Sequence, residues 1–153
     1  MKIDLEIKKL VFHQLVNLIE EKIENSSSAL LSIKESRDSA TKSSAGDKHE
    51  TGRAMMQLEL EKLEVQLNHA LIQKKDLEKF DPKIIHEKVE FGSLVLSNQG
   101  NYFVSIGIGN MEIEGMKYFA ISLASPIGQL INNRKVGDLI HFRGTDIKIE
   151  KII

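Results

Sequence analysis

Leu77-Glu-Lys-Phe-Asp-Pro-Lys-Ile-Ile-His-Glu-Lys-Val-Glu-Phe-Gly-Ser-Leu-Val-Leu96 is where the chain changes character, and this stretch decides the fold class. Up to Phe80 the apolar residues keep a helical spacing. Pro82 then removes a backbone donor and disfavours helix at Asp81. From Val89 onward short β-branched and aromatic runs, punctuated by Gly, take over. The reading is an α+β chain: a helical part over residues 1–80, a linker at 81–88 and a small β-rich domain over 89–153. Aromatic placement agrees, since of six Phe and two Tyr only Phe12 and Phe80 precede residue 90.

Upstream of this junction the pattern predicts two helices. From Ile3 to about Lys34 there is no Gly or Pro, and Phe12, Leu15, Ile19, Ala29 and Ile33 follow heptad-like spacing, widened by Ile23 and Leu30. The second helix begins between Asp47 and Thr51. Its stripe of Met56, Leu60, Leu63, Leu67, Ala70 and Leu77 alternates steps of four and three, interrupted by Lys74. Each helix spans about 30 residues, or about 45 Å, and neither can hide its stripe alone. The Ser-, Thr- and Asp-rich segment Glu35–Glu50 separates them, and a turn near 36–50 folds them into an antiparallel coiled-coil hairpin. Ser36 to Ser44 can prolong either helix. An intermolecular coiled coil is the alternative.

Downstream, Val89–Leu96 reads as a strand in which Gly92 allows a bulge or a close backbone approach. Tyr102 to Ile108 alternates as a second strand, Gly109-Asn110 and Glu114-Gly115 mark the next connection, and another strand surrounds Tyr118 to Ser122. Antiparallel pairing is expected. Ser125-Pro-Ile-Gly-Gln-Leu-Ile131 reads as a short helix capped by Ser125, with Pro126 in its first turn and Ile127, Leu130 and Ile131 docked on the sheet. Leu139–Arg143 and Ile147-Lys-Ile-Glu-Lys-Ile152 complete the sheet. Tyr102, Phe103, Tyr118, Phe119 and Phe142 suit a core or docking surface better than an active pocket.

Composition narrows the function. Twenty-one Lys and Arg oppose 22 Asp and Glu, a net charge of −1, so nothing global favours wrapping a nucleic acid. The absence of Cys removes thiolate catalysis, disulfides and Cys-based metal sites. No apolar run approaches the roughly 18–20 residues of a membrane helix, and the expectation is a soluble cytoplasmic protein, monomeric and away from membranes. No phosphate loop, HExxH or paired nucleophile and base occurs, which disfavours a free-standing enzyme.

The turn between the helices carries the candidate chemistry. Asp47 and Glu50 lie three apart, on one face if the second helix has begun. As Asp-x-x-Glu they can form a capping box, satisfying exposed amides. They can equally supply oxygen ligands to a Mg²⁺ held mainly by another molecule. Arg37, Lys42, Lys48 and Arg53 surround them as possible phosphate contacts, or as a solvated charged face.

The ordered set Val89-x-Phe-Gly-Ser-x-Val95, the Tyr-containing strand before Gly107, Ile121-Ser122, Ser125-Pro-Ile-x-x-x-Ile131 and Arg134-Lys-Val-Gly-Asp138 resembles the Gre family of bacterial transcript-cleavage factors (GreA/GreB-like), in its Bacteroidetes-type branch. The likeness spans about 65 residues here and, with weaker motifs, another 75–80 in the helical half. It implies an FKBP-like C-terminal domain that docks on RNA polymerase, and a role in transcription elongation, with DNA binding among the properties associated with it. Gly46-Asp47-x-x-Glu50 matches the family's acidic tip. The implication is that the hairpin enters the polymerase secondary channel, near the nascent RNA. There Asp47 and Glu50, auxiliary catalytic residues, share a Mg²⁺ with the polymerase to cleave backtracked RNA, while Arg37, Lys42, Lys48 and Arg53 lie near that RNA. No cofactor would be stably bound by the isolated chain. The tip departs from the family at Lys48, where an apolar residue is usual, and at Gly52, which loosens the helix. These departures keep a non-cleaving polymerase regulator in play, as the long helices do a coiled-coil scaffold. Similar short chains carry the name of a 3-oxoacyl-[acyl-carrier-protein] synthase, but that activity needs a nucleophilic Cys and a larger doubled core.

Overall fold

The computed structural model describes residues 2–42 and 47–153, with side chains described for 2–39 and 50–153. Two long helices, α1 (Lys2–Lys42) and α2 (Asp47–Leu77), precede six strands and one short helix, the α+β class expected. The first helix runs beyond Lys34 to Lys42, because Glu35–Thr41 holds no Gly or Pro to stop it. Two compact units result: Leu18–Lys74, and Met1–Asn17 together with Lys75–Ile153. Composition alone places a boundary at 81–88; these units divide within the helices.

In the first unit the helices are antiparallel. Glu20 pairs with Lys74 at 3.7 Å and Arg37 with Gln57 at 3.4 Å, so the contact moves from 20 to 37 along α1 while it moves from 74 back to 57 along α2. The seam buries Ile19 and Ser26 on one helix and Leu60, Leu63, Ala70 and Gln73 on the other. Gln73, rather than Lys74, continues the seam, since it lies three beyond Ala70 and four before Leu77. Lys74 sits at the flank, its ammonium turned to Glu20.

The second unit is a six-stranded mixed sheet in the order β3-β4-β2-β1-β6-β5. Its strands are β1 (Leu94–Ser97), β2 (Asn101–Val104), β3 (Gly109–Ile113), β4 (Met116–Ile121), β5 (Leu139–Phe142) and β6 (Thr145–Ile152), with α3 (Pro126–Ile131) between β4 and β5. Three expectations need correction. Val89–Ser93 is not strand: Ser93 N–H donates to Glu90 O, and Gly92 adopts φ +93°, which turns the chain. Gly92 also permits the close approach foreseen, since a Cβ there would lie 3.1 Å from the Phe80 ring. The second strand stops at Val104, and Gly109-Asn110 opens β3 instead of serving as a turn. Pairing is not all antiparallel. The chain passes from β2 out to the edge strand β3 and returns as β4 parallel to β2, with Tyr102 opposite Phe119.

A bulge decides the end of β6. Leu96 pairs with Lys151 but Ser97 with Ile149, so the alternation Ile147, Ile149 slips one residue and turns Ile152 rather than Lys151 inward. Lys151 is thereby free to bind Asp4 at 2.7 Å. The core cluster, Val89, Val95, Val104, Ile127, Ile131, Ile140, Ile147, Ile149 and Ile152, is entirely β-branched, which fits a pleated buried surface. Ser125 caps α3 as expected, its Oγ accepting from Gly128 N at 3.1 Å. Ile127 and Ile131 dock inward, but Leu130 stays 38% exposed. The third contact is Gly128, where a Cβ would fall 2.0 Å from Ser122 O.

Sequence patterning did not single out Lys8. It is fully buried on the same helical line as Val11 and Leu15, donating to Ile84 O at 2.7 Å and Ile153 O at 3.0 Å, with Nζ 5.5 Å above the Phe80 ring. Burial pushes its pKa down to about 8, with Asp81 pulling the other way. Phe80 stacks between Phe12 (centroids 4.5 Å apart) and Phe103 (5.2 Å, edge-on), tying the first turns of α1 to the sheet within this unit.

Candidate functional site

The candidate residues gather where α1 gives way to α2. Glu50, Arg53, Ala54 and Gln57 lie at steps of three, four and seven along α2 and therefore share one helical face. Arg37 reaches that face from α1. Together these five line an open groove of about 320 Å³. Glu50 and Arg53 are exposed and Arg37 is half-buried. Among the described residues, the Glu50 carboxylate and the two guanidinium groups thus face a common space.

Polar contacts hold the Arg37 side of the groove in place. Its Nη1 donates to Gln57 Oε1 at 3.4 Å, and Gln57 Nε2 donates to Glu61 Oε1 at 3.3 Å. Arg37 also approaches Asp38 at 3.5 Å, an exposed pair that contributes little to stability. The planar guanidinium, a fork of donors, suits phosphate oxygens better than a lysine point charge does. Gln57 was not visible as a site residue in the sequence. Its signal was its place seven residues after Glu50, on the same face.

The structure therefore brings Arg37, Glu50 and Arg53 together. Asp47 opens α2, but its side chain and those of Lys42 and Lys48 lie outside the described residues, as do Ser44 and Gly46. A hard cation takes carboxylate oxygens, and the exposed Glu50 carboxylate fits as one donor. Among the described residues, which do not include the Asp47 side chain, no group of three or more His, Cys, Asp or Glu gathers as a metal site. No helix among them is long and apolar enough to cross a membrane.

The sheet unit offers a second polar constellation, and its chemistry is already committed. His86 Nδ1 lies 2.7 Å from Glu90 Oε1, a hydrogen bond that holds the Glu90 carboxyl below its ordinary range. Ser93 Oγ accepts from Glu90 N at 2.9 Å and donates to Lys88 O at 3.4 Å. It bonds to main chain and not to the imidazole, so this trio fixes the turn before β1 and is no nucleophile and base.

No protein-family model matches the chain, and no curated protein matches it. Among solved structures it is similar to one described as the structure of the transcription factor Gfh1, with a TM-score of 0.34 and 17% sequence identity, over 92% of this chain and 90% of that one.

Proposed function

We propose that this protein is a cytoplasmic transcription elongation factor that binds bacterial RNA polymerase and stimulates the polymerase's own cleavage of backtracked RNA. The observation that carries this reading is the exposed Glu50 carboxylate flanked by Arg37 and Arg53 in one groove, near the end of a long antiparallel helix pair. A narrow helical arm of this kind can carry charged groups into a channel that a globular domain cannot enter. The motif resemblance of the sheet half supplies the partner, and Asp47-x-x-Glu50 supplies the acidic pair.

In this reading the protein is an accessory factor and not itself an enzyme. Asp47 and Glu50 would contribute oxygen ligands to the Mg²⁺ shared with the polymerase, and Arg37 and Arg53, with Lys42 and Lys48, would contact phosphates of the nascent RNA. Bound there, the cation supplies positive charge to the phosphodiester under attack and lowers the pKa of water. The chain's part is to hold its carboxylates at a fixed depth, which a rigid helix pair does with little loss of entropy on docking.

A second reading, a polymerase-binding regulator without cleavage activity, rests on the same groove. Two guanidinium groups beside one carboxylate compete with a cation for it, and Lys48 adds a third positive charge nearby in sequence. The deciding experiment follows Mg²⁺-dependent cleavage of end-labelled RNA in stalled, backtracked complexes, comparing the protein with Asp47→Asn/Glu50→Gln. Cleavage by the wild type, lost by at least about tenfold in a variant that still binds polymerase, supports the first reading. Binding without stimulation by the wild type selects the second, and no binding at all overturns both.

A further inference from the structure

Within the sheet unit, away from the candidate site, Asp76, Lys79, Phe91, Ser105 and Leu123 line a groove of about 270 Å³. Ligand sites commonly enclose roughly 300–1,000 Å³, so this space suits a small molecule. Ser105 comes directly after β2, and its N–H continues the ladder by donating to Ile121 O at 2.7 Å. Alternation then puts its side chain on the face of Phe103, two residues earlier, which is the face that meets Phe80. Ser105 is only 7% exposed, and its Oγ has no hydrogen-bond partner among the described residues. An unpaired buried hydroxyl costs free energy, and packing alone would be served by Ala.

The other four residues define what completes that hydroxyl. Phe91 and Leu123 are half-buried apolar walls. Asp76 and Lys79 bring one charge of each sign, with Oδ1 and Nζ 3.4 Å apart. A ligand that answers both must carry a cation and an anion close together, and an ammonium and a carboxylate on one carbon meet that requirement. A ligand with a single charge would break the pair and leave its other member without a counterpart. We propose that this groove binds a free α-amino acid with an apolar side chain. Its ammonium lies on Asp76, its carboxylate between Lys79 and Ser105, and its side chain between Phe91 and Leu123. The Ser105 O–H then donates to a carboxylate oxygen, a charge-assisted bond that ends its isolation. Both members of the Asp76–Lys79 pair are exposed, so the pair contributes little to stability and exchanges for the ligand's charges at small cost.

The site does not involve the polymerase, and the test uses the full chain alone. Isothermal titration calorimetry with L-leucine and with L-phenylalanine is expected to show saturable binding of one ligand per chain. N-acetyl-L-leucine, which lacks the ammonium, and L-leucinamide, which lacks the carboxylate, bind at least about tenfold more weakly. Ser105→Ala and Asp76→Asn each weaken leucine binding at least about tenfold, with the circular dichroism spectrum unchanged. Asp76 is exposed, so its variant keeps the fold even where Ser105→Ala does not. No saturable binding of either amino acid, equal binding of the capped forms, or binding that both variants leave unchanged overturns the proposal.

Discussion

The sheet unit and the helix-pair unit differ in the partners they offer a buried polar group. In the sheet unit Lys8 enters a fully buried position and finds two main-chain oxygens and an aromatic face, while His86 and Ser93 are each bonded to a neighbour. Each unit also leaves one buried side-chain atom without a hydrogen-bond partner among the described residues, Ser105 Oγ in the sheet unit and Gln73 Oε1 in the helix seam. A sheet with loops on several sides can bring a carbonyl to almost any buried donor. Two helices cannot, because their backbone groups are already spent within each helix. The helix pair instead has a wide exposed surface, and the candidate site lies there.

Removing core volume is the strongest way to probe this contrast. Phe103→Ala, at a fully buried position edge-on to Phe80, is expected to cost about 3–5 kcal/mol, against about 2–3 for Leu63→Ala in the two-helix seam, which can partly collapse. Urea unfolding followed by circular dichroism checks the order, and equal losses would break the comparison. Lys8 comes next. Its folded-state pKa of about 8 lies below the ordinary 10.5, so between these values the unfolded chain keeps a proton that the folded chain has released. Stability therefore rises with pH from about 8 to 10.5, by up to about 3 kcal/mol. Lys8→Met should abolish this rise, so the difference between wild type and variant grows across that window. A constant difference would mean that the carbonyls hold the ammonium charged. The smallest effect belongs to Gln73→Leu, which replaces an unpaired buried amide oxygen and should stabilise the helix pair by about 1 kcal/mol. A loss of stability would show that Gln73 has a partner in solution.

The sequence revealed elements more readily than their pairing. The stripe from Met56 to Leu77 was visible because helical periodicity is local, and Ser125-Pro126 announced α3 because caps and first-turn prolines act within four residues. The parallel strands β2 and β4 were not visible, since nothing in Asn101–Val104 records which strand lies beside it. At the candidate site, charge and spacing identified Arg37, Glu50 and Arg53. Gln57 emerged only when a second helix brought Arg37 across to it.

By itself the sequence determined that a helical part gives way to a sheet-forming part across Pro82, because Pro82 and the Gly-spaced β-branched runs act on the backbone directly, but not that the first strand begins at Leu94 instead of Val89. It also determined the charge and spacing of the residues on the candidate face. Tertiary structure decided that Lys8 lies inside, that Gly128 and not Leu130 is buried with Ile127 and Ile131 in α3, and that a bulge turns Ile152 inward. The physical reason is the same in each case. Propensity and periodicity are summed over neighbours in sequence, whereas a buried donor, a missing Cβ and a shifted register take their meaning from atoms that are distant along the chain and adjacent only after folding.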